Sequence, residues 1–181
     1  LDVTLRERLS MEVRDILKEY GATALFVTHN QHEAFTVADE VGVMFDGNML
    51  QWDIPHEIYH RPTCCYVADF VGEGVLLKGV VKDEQTVETG LTTLSGKFNC
   101  PFKPGAAVRV LIRPEDVTHD DESPVKAEVL HRTYRGPHVH YRLRLKNSDQ
   151  VEALVPSHCD HKIGEWIGIR SDVRHIVLFP G

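Results

Sequence analysis

The sequence predicts two units of different class, an α/β segment over residues 1–72 and an all-β domain over residues 73–181. Apolar residues recur at the helical period of three to four before Gly72 and at the strand period of two after Gly74. The acidic excess is confined to the first segment, where residues 1–72 hold 5 basic and 12 acidic side chains against 15 of each in residues 73–181. Gly, Pro, Asn and Asp punctuate the second segment at short intervals, the spacing of a barrel or sandwich.

Leu5, Leu9, Val13, Ile16, Leu17 and Tyr20 lie on one face of an amphipathic helix, with Arg6, Arg8, Glu12, Arg14, Asp15, Lys18 and Glu19 off it, and Gly21 ends it. Ala22 to Thr28 is a continuous apolar run rich in β-favouring residues, which predicts a strand covered on both faces as in a parallel sheet. Asn30 followed by Glu33 three places on predicts a capping-box-like start to a short helix through Ala38. Val41 to Phe45 and Asn48 to Trp52 flank Asp46-Gly47, a two-residue hairpin signal. Pro55 opens a helical turn through Tyr59, and Tyr66, Val67, Phe70 and Val71 mark a further short helix closed by Gly72-Glu73-Gly74. The β-domain strands are expected at 75–81, 86–89, 108–112, 125–131, 140–145, 151–154, 166–169 and 176–179.

With 181 residues, 42% hydrophobic and 26% charged, the chain can bury a core, which excludes general disorder. No run approaches the roughly 18 apolar residues of a membrane span, and no secretory signal opens the chain, so a soluble, cytosolic protein is expected. The 4 cysteines fit no disulfide scaffold, because Cys64 and Cys65 are adjacent, and are read as reduced. Gly-x-x-x-x-Gly-Lys-Ser/Thr, Gly-x-Gly-x-x-Gly and Gly-x-Ser-x-Gly are all absent, so the sequence holds no recognisable phosphate cradle or nucleophile elbow. One buried strand is too little to close a doubly wound sheet, and residues 1–72 are therefore expected to be part of a larger α/β domain.

Leu1-Asp2, Val27-Thr28-His29-Asn30-Gln31-x-Glu33-Ala34, Ala38-Asp39, Phe45-Asp46-Gly47 and Pro55-x-Glu57-Ile58-Tyr59-x-x-Pro62 resemble, in order and spacing, the C-terminal portion of the ATP-binding subunit of ATP-binding-cassette importers. The resemblance continues through Phe70-Val71-Gly72-Glu73 and Ile112-Arg113-Pro114-Glu115-Asp116. It implies that residues 1–72 are the C-terminal part of a nucleotide-binding domain and residues 73–181 an accessory regulatory β-domain, an oligonucleotide/oligosaccharide-binding-like barrel. His29 would be the catalytic switch histidine, bonding a γ-phosphate oxygen and orienting the attacking water. Asp2 would be the D-loop acid that meets nucleotide across a dimer; an N-cap for the first helix is the alternative for Asp2. Gly72-Glu73-Gly74 and the ending Val177 to Gly181 look most like the ferric-iron branch. ATP and Mg2+ would serve the intact subunit, at the cytoplasmic face of the membrane. Its partners would be a permease, a second copy of itself and, indirectly, a solute-binding protein. The phosphate loop, signature motif and catalytic glutamate are missing, so this chain alone is expected to be inactive and to hold no nucleotide.

Other chemistry is weaker. His138 and His140 share one strand face, and Ser157-His158-Cys159-Asp160-His161 packs three possible donors together, yet neither supplies a full metal shell, and no metal site is expected. Arg132, Arg135, Arg142 and Arg144 could form a basic face, but only Tyr134 and Tyr141 are there to stack bases, so nucleic acid is not an expected partner. The rival to the importer reading is a stand-alone β-domain that binds a small ligand or oxyanion without catalysis.

Overall fold

In the computed structural model, which describes residues 3–181, the helical period of the first segment forms α1 (Val3–Glu19). Gly21, at φ +59°, lets the chain close the helix end: its amide reaches Lys18 O at 3.2 Å and that of Ala22 reaches Leu17 O at 2.9 Å, a Schellman pair. α2 (Gln31–Val37) packs on α1. Arg14 Nη1 donates to Val37 O at 2.6 Å and its Nη2 to Asp39 at 3.0 Å, while Lys18 Nζ reaches Asp39 at 2.7 Å. These bonds, that from Lys18 foremost, hold the Asp39 carboxyl below its ordinary range.

The Asp46-Gly47 signal is realised as a hairpin of β1 (Val41–Phe45) and β2 (Asn48–Asp53). Asp46 at φ 47° and Gly47 at φ 75° supply the two left-handed residues that a type I′ turn demands. α3 (Pro55–His60) and α4 (Cys65–Phe70) follow, and Ile58 and Val67 join Val43 and Val71 in a small core edged by Phe35 and Leu50. Gln51 is buried in β2, its Nε2 donating to Arg61 O at 3.1 Å and its Oε1 accepting the Thr63 amide at 2.9 Å. The parallel strand expected over Ala22 to Thr28 is not formed. An extended apolar run becomes a strand only when neighbours take up its amides and carbonyls, and no described strand pairs with it. Leu25 is 85% and Val27 87% exposed, and the α1 face at Leu5, Leu9 and Val13 is also exposed.

The chain divides into two compact units between Val71 and Gly72. The second is all β. One sheet has the order β12 (Leu178–Pro180), β6 (Ala107–Ile112), β3 (Val75–Val81), β4 (Thr86–Thr89) and β5 (Thr93–Ser95). The other has the order β10 (Gln150–Pro156), β9 (His138–Leu145), β8 (Lys126–Arg135), β11 (Trp166–Ser171) and β7 (Val117–His119). All these ladders are antiparallel. The period of two does what it predicts: Val139, Tyr141, Leu143 and Leu145 of β9 point inward beside Val151, Ala153 and Val155 of β10. They share one core with Leu77, Val81, Val108 and Val110 of the other sheet. Seven of the eight expected strands agree within a few residues; the eighth begins only at Leu178, because Ile176 makes an isolated bridge to Phe98 instead. β5 and β7, three residues each, were too short to carry a period.

Candidate functional site

His29 sits in a bend between the extended run and α2, and its side chain is exposed. The residues on either side of it are both fixed to the first turn of α2. Asn30 is the N-cap: its Oδ1 accepts the His32 amide at 3.0 Å and the Glu33 amide at 3.4 Å. Glu33 does not reach back to the Asn30 amide, as a capping box would have it. That amide donates to Thr28 Oγ1 at 3.0 Å, and the Thr28 hydroxyl donates to Glu33 Oε2 at 2.8 Å. The other Glu33 oxygen faces Arg6 of α1 at 3.5 Å. The arrangement presents an imidazole outward from a bend whose neighbours are pinned on both sides. Asp2 lies outside the described residues.

In the β-domain, Arg113-Pro114-Glu115-Asp116 forms a 3-10 turn at Pro114–Asp116. Asp116 Oδ2 accepts the Arg113 amide at 2.9 Å, and the Asp116 amide donates back to Arg113 O at 3.0 Å. Burial pushes the Asp116 carboxyl up to about 6, with Glu115 and Asp172 adding like charge against the Arg113 amide and guanidinium. The buried Arg113 side chain donates through Nη1 to Glu73 O at 2.8 Å. Glu73 also takes a forked bond from Arg135, at 2.8 and 3.2 Å, which holds its carboxyl below the ordinary range. His140 lies 3.7 Å from Glu73 and 3.5 Å from Glu152. No sequence signal pointed to this bridge across 40 residues, although both of its ends belonged to recognised motifs.

The histidine clusters disperse. Asp160 is held by Arg132, His161 bonds Glu165 at 3.1 Å, and Tyr141 donates its hydroxyl to Cys159 O at 2.9 Å. His161 instead meets His119, a pairing the sequence did not suggest, with ring centroids 4.5 Å apart. His138 and His140 share the outer face of β9 as expected, yet His138 is exposed while His140 turns to carboxylates. Among the described residues no three His, Cys, Asp or Glu converge as a metal site. The four arginines of the postulated basic face are each matched to a carboxylate: Arg132 to Asp160, Arg135 to Glu73, Arg142 to Glu152 and Arg144 to Glu128. Tyr141 belongs to the core and offers no stacking surface.

The strands from β6 onward settle the class of the second unit. Residues 110–179 match the TOBE domain. The all-β, oligonucleotide/oligosaccharide-binding-like class expected after the small α/β part is thus found. Most of the chain is similar to ATP-binding proteins of polyamine transport. It is 35% identical over 178 residues to the putrescine transport ATP-binding protein PotG of Escherichia coli K12, covering 91% of this chain and 47% of that protein. The spermidine/putrescine import ATP-binding protein PotA of Clostridium novyi NT is 33% identical over 175 residues, covering 93% of this chain and 48% of that one. PotA of the Aster yellows witches'-broom phytoplasma AYWB is 37% identical over 156 residues, covering 83% and 36%. The chain spans about half the length, or less, of these curated relatives. A solved structure of the cytoplasmic molybdate-binding protein ModG is 12% identical at a TM-score of 0.48, covering 59% of this chain and 95% of that chain. Resemblance to the ATP-binding subunit of an importer therefore stands. The ferric-iron branch finds no support, since these relatives are named for putrescine and spermidine.

Proposed function

We propose that this chain is the C-terminal portion of the ATPase subunit of a binding-cassette importer, and that the solute is a polyamine rather than ferric iron. Similarity to PotG over 91% of the chain, running through the His29 turn and the β-domain alike, is the observation that supports this reading. In it, residues 1–72 complete a nucleotide-binding domain and residues 73–181 form a regulatory or dimerising β-domain. His29 acts on the γ-phosphate, where an exposed imidazole on a fixed bend adds charge stabilisation as phosphoryl transfer proceeds. ATP and Mg2+ would be held by the phosphate loop and carboxylates of the remaining half, since the sequence of this chain carries no phosphate-loop motif. Residues 1–181 alone therefore neither hydrolyse ATP nor bind it with micromolar affinity. The partners are a permease, a second copy and, indirectly, a solute-binding protein. The subunit works at the cytoplasmic face of the membrane, and no helix among the described residues is long and apolar enough to cross it.

The experiment is to read the coding frame that precedes Leu1, express the full-length subunit with its permease, and measure ATP turnover and uptake of labelled putrescine. His29→Ala should lower turnover about 10²-fold with nucleotide affinity nearly unchanged, because the imidazole acts on charge that develops late. Loss of nucleotide binding with turnover per bound nucleotide retained would reassign His29 to binding. A frame without a phosphate loop would return the chain to the stand-alone binding domain.

A further inference from the structure

We propose that Glu33 is a positioning residue for His29, acting through the hydroxyl of Thr28; the proposal rests on the reading of His29 as the residue that meets the γ-phosphate. Capping α2 does not need this arrangement. Asn30 already accepts the His32 and Glu33 amides, and a Glu three residues after the cap ordinarily binds the cap amide itself. Here the Thr28 hydroxyl is inserted between them, accepting from the Asn30 amide at 3.0 Å and donating to Glu33 at 2.8 Å. A hydroxyl that gives and receives in this way has its rotor fixed. Thr28 precedes His29 and Asn30 follows it, so both flanks of the histidine are tied to one helical turn. The tie extends to α1, because the second Glu33 oxygen lies 3.5 Å from Arg6. The far end of α2 is tied to the same helix through Arg14 and Val37 O. Catalysis gains from such fixing, since a small misplacement of a catalytic group costs rate far out of proportion to the bond that prevented it.

The test uses the 181-residue chain with 13C-labelled histidine. The His29 resonance is identified by its loss in His29→Ala, and amide exchange is followed at Asn30 and His32. Glu33→Ala should speed exchange of the Asn30 amide about tenfold and shift or broaden the His29 resonance, while the His32 amide, held by Asn30, changes less than about threefold. Thr28→Val should reproduce the effect, and Thr28→Ser should restore the wild-type spectrum. Unchanged Asn30 exchange in Glu33→Ala, or an effect that Thr28→Val does not share, overturns the proposal. In the full-length subunit Glu33→Ala should lower kcat about tenfold at unchanged KM for ATP, with Glu33→Gln within about threefold of wild type. Full turnover in His29→Ala would overturn the reading of His29 itself. Loss of turnover there, with full turnover in Glu33→Ala, would overturn only the positioning role.

Discussion

Replacing Asp116 by Asn should stabilise the β-domain at alkaline pH and leave it unchanged in acid. The Asp116 carboxyl titrates at about 6 against an ordinary 3.8, chiefly because burial disfavours its charge. Below about pH 6 the native domain therefore holds a proton that the unfolded chain binds only near 3.8, and stability rises as pH falls through that window. Above it the native state carries a poorly solvated anion. The displacement from 3.8 to about 6 corresponds to roughly 3 kcal/mol at most, and a half-buried carboxylate with some access to water realises about 1–2 kcal/mol. Asn keeps an oxygen that can accept the Arg113 amide, at 2.9 Å in the wild type, so the turn itself survives. Glu73 and Glu165 have lowered carboxyls and act in the opposite sense, losing their contribution as pH falls below about 4.5, but wild type and variant share them and they cancel in the difference. The assay is urea unfolding at pH 3.5 and pH 8, followed by the fluorescence of Trp166 in a Trp52→Phe background. The variant should exceed wild type by about 1–2 kcal/mol at pH 8 and match it within about 0.5 kcal/mol at pH 3.5, below the unfolded value of 3.8. A variant less stable than wild type at pH 8, or a difference that does not change with pH, would refute the assignment of the burial cost to this carboxyl.

Gly168→Ala should destabilise the β-domain by about 1–3 kcal/mol, visible in a thermal melt, because a Cβ there would collide with the Asp120 carbonyl, whose backbone is held by the neighbouring β7 ladder. A melting temperature equal to that of wild type would mean the backbone shifts freely. Gln51→Ala strands Arg61 O and the Thr63 amide at once and should cost the first unit about 1–3 kcal/mol, read by amide exchange at Thr63. Limited proteolysis should remove residues 1–71 before it cuts 73–181, and light scattering should report a self-associated chain, since contiguous apolar surface is exposed on α1 and at Leu25, Phe26 and Val27. A monodisperse monomer, or digestion that spares the first unit, would contradict both expectations.

Where local chemistry dictates structure, the sequence can be read directly, and where structure needs a distant partner it cannot. Asp46-Gly47 demands positive φ at both positions, so the hairpin was legible to the residue. The alternation in β8 to β10 was legible because each inward residue faces the same core. The bridge from Arg113 to Glu73 was not, since nothing in either motif specifies the other. His29 was legible only through the residues around it; its own exposure and ordinary surroundings mark nothing, and the Thr28 relay that fixes it has no pattern beyond two residues of suitable type. Ala22 to Thr28 is the instructive failure. Its composition demands burial on both faces, and its structure leaves Leu25 and Val27 almost wholly exposed, without a ladder. Composition records the contacts a segment was selected to make, whereas the fold of one chain records only those it can make by itself. The difference between them falls on α1 and the run before His29, in a chain that matches only about half of relatives such as PotG. Leu5, Leu9 and Val13 on α1 and Leu25, Phe26 and Val27 before His29 are thus where the burial that composition calls for is left unmade.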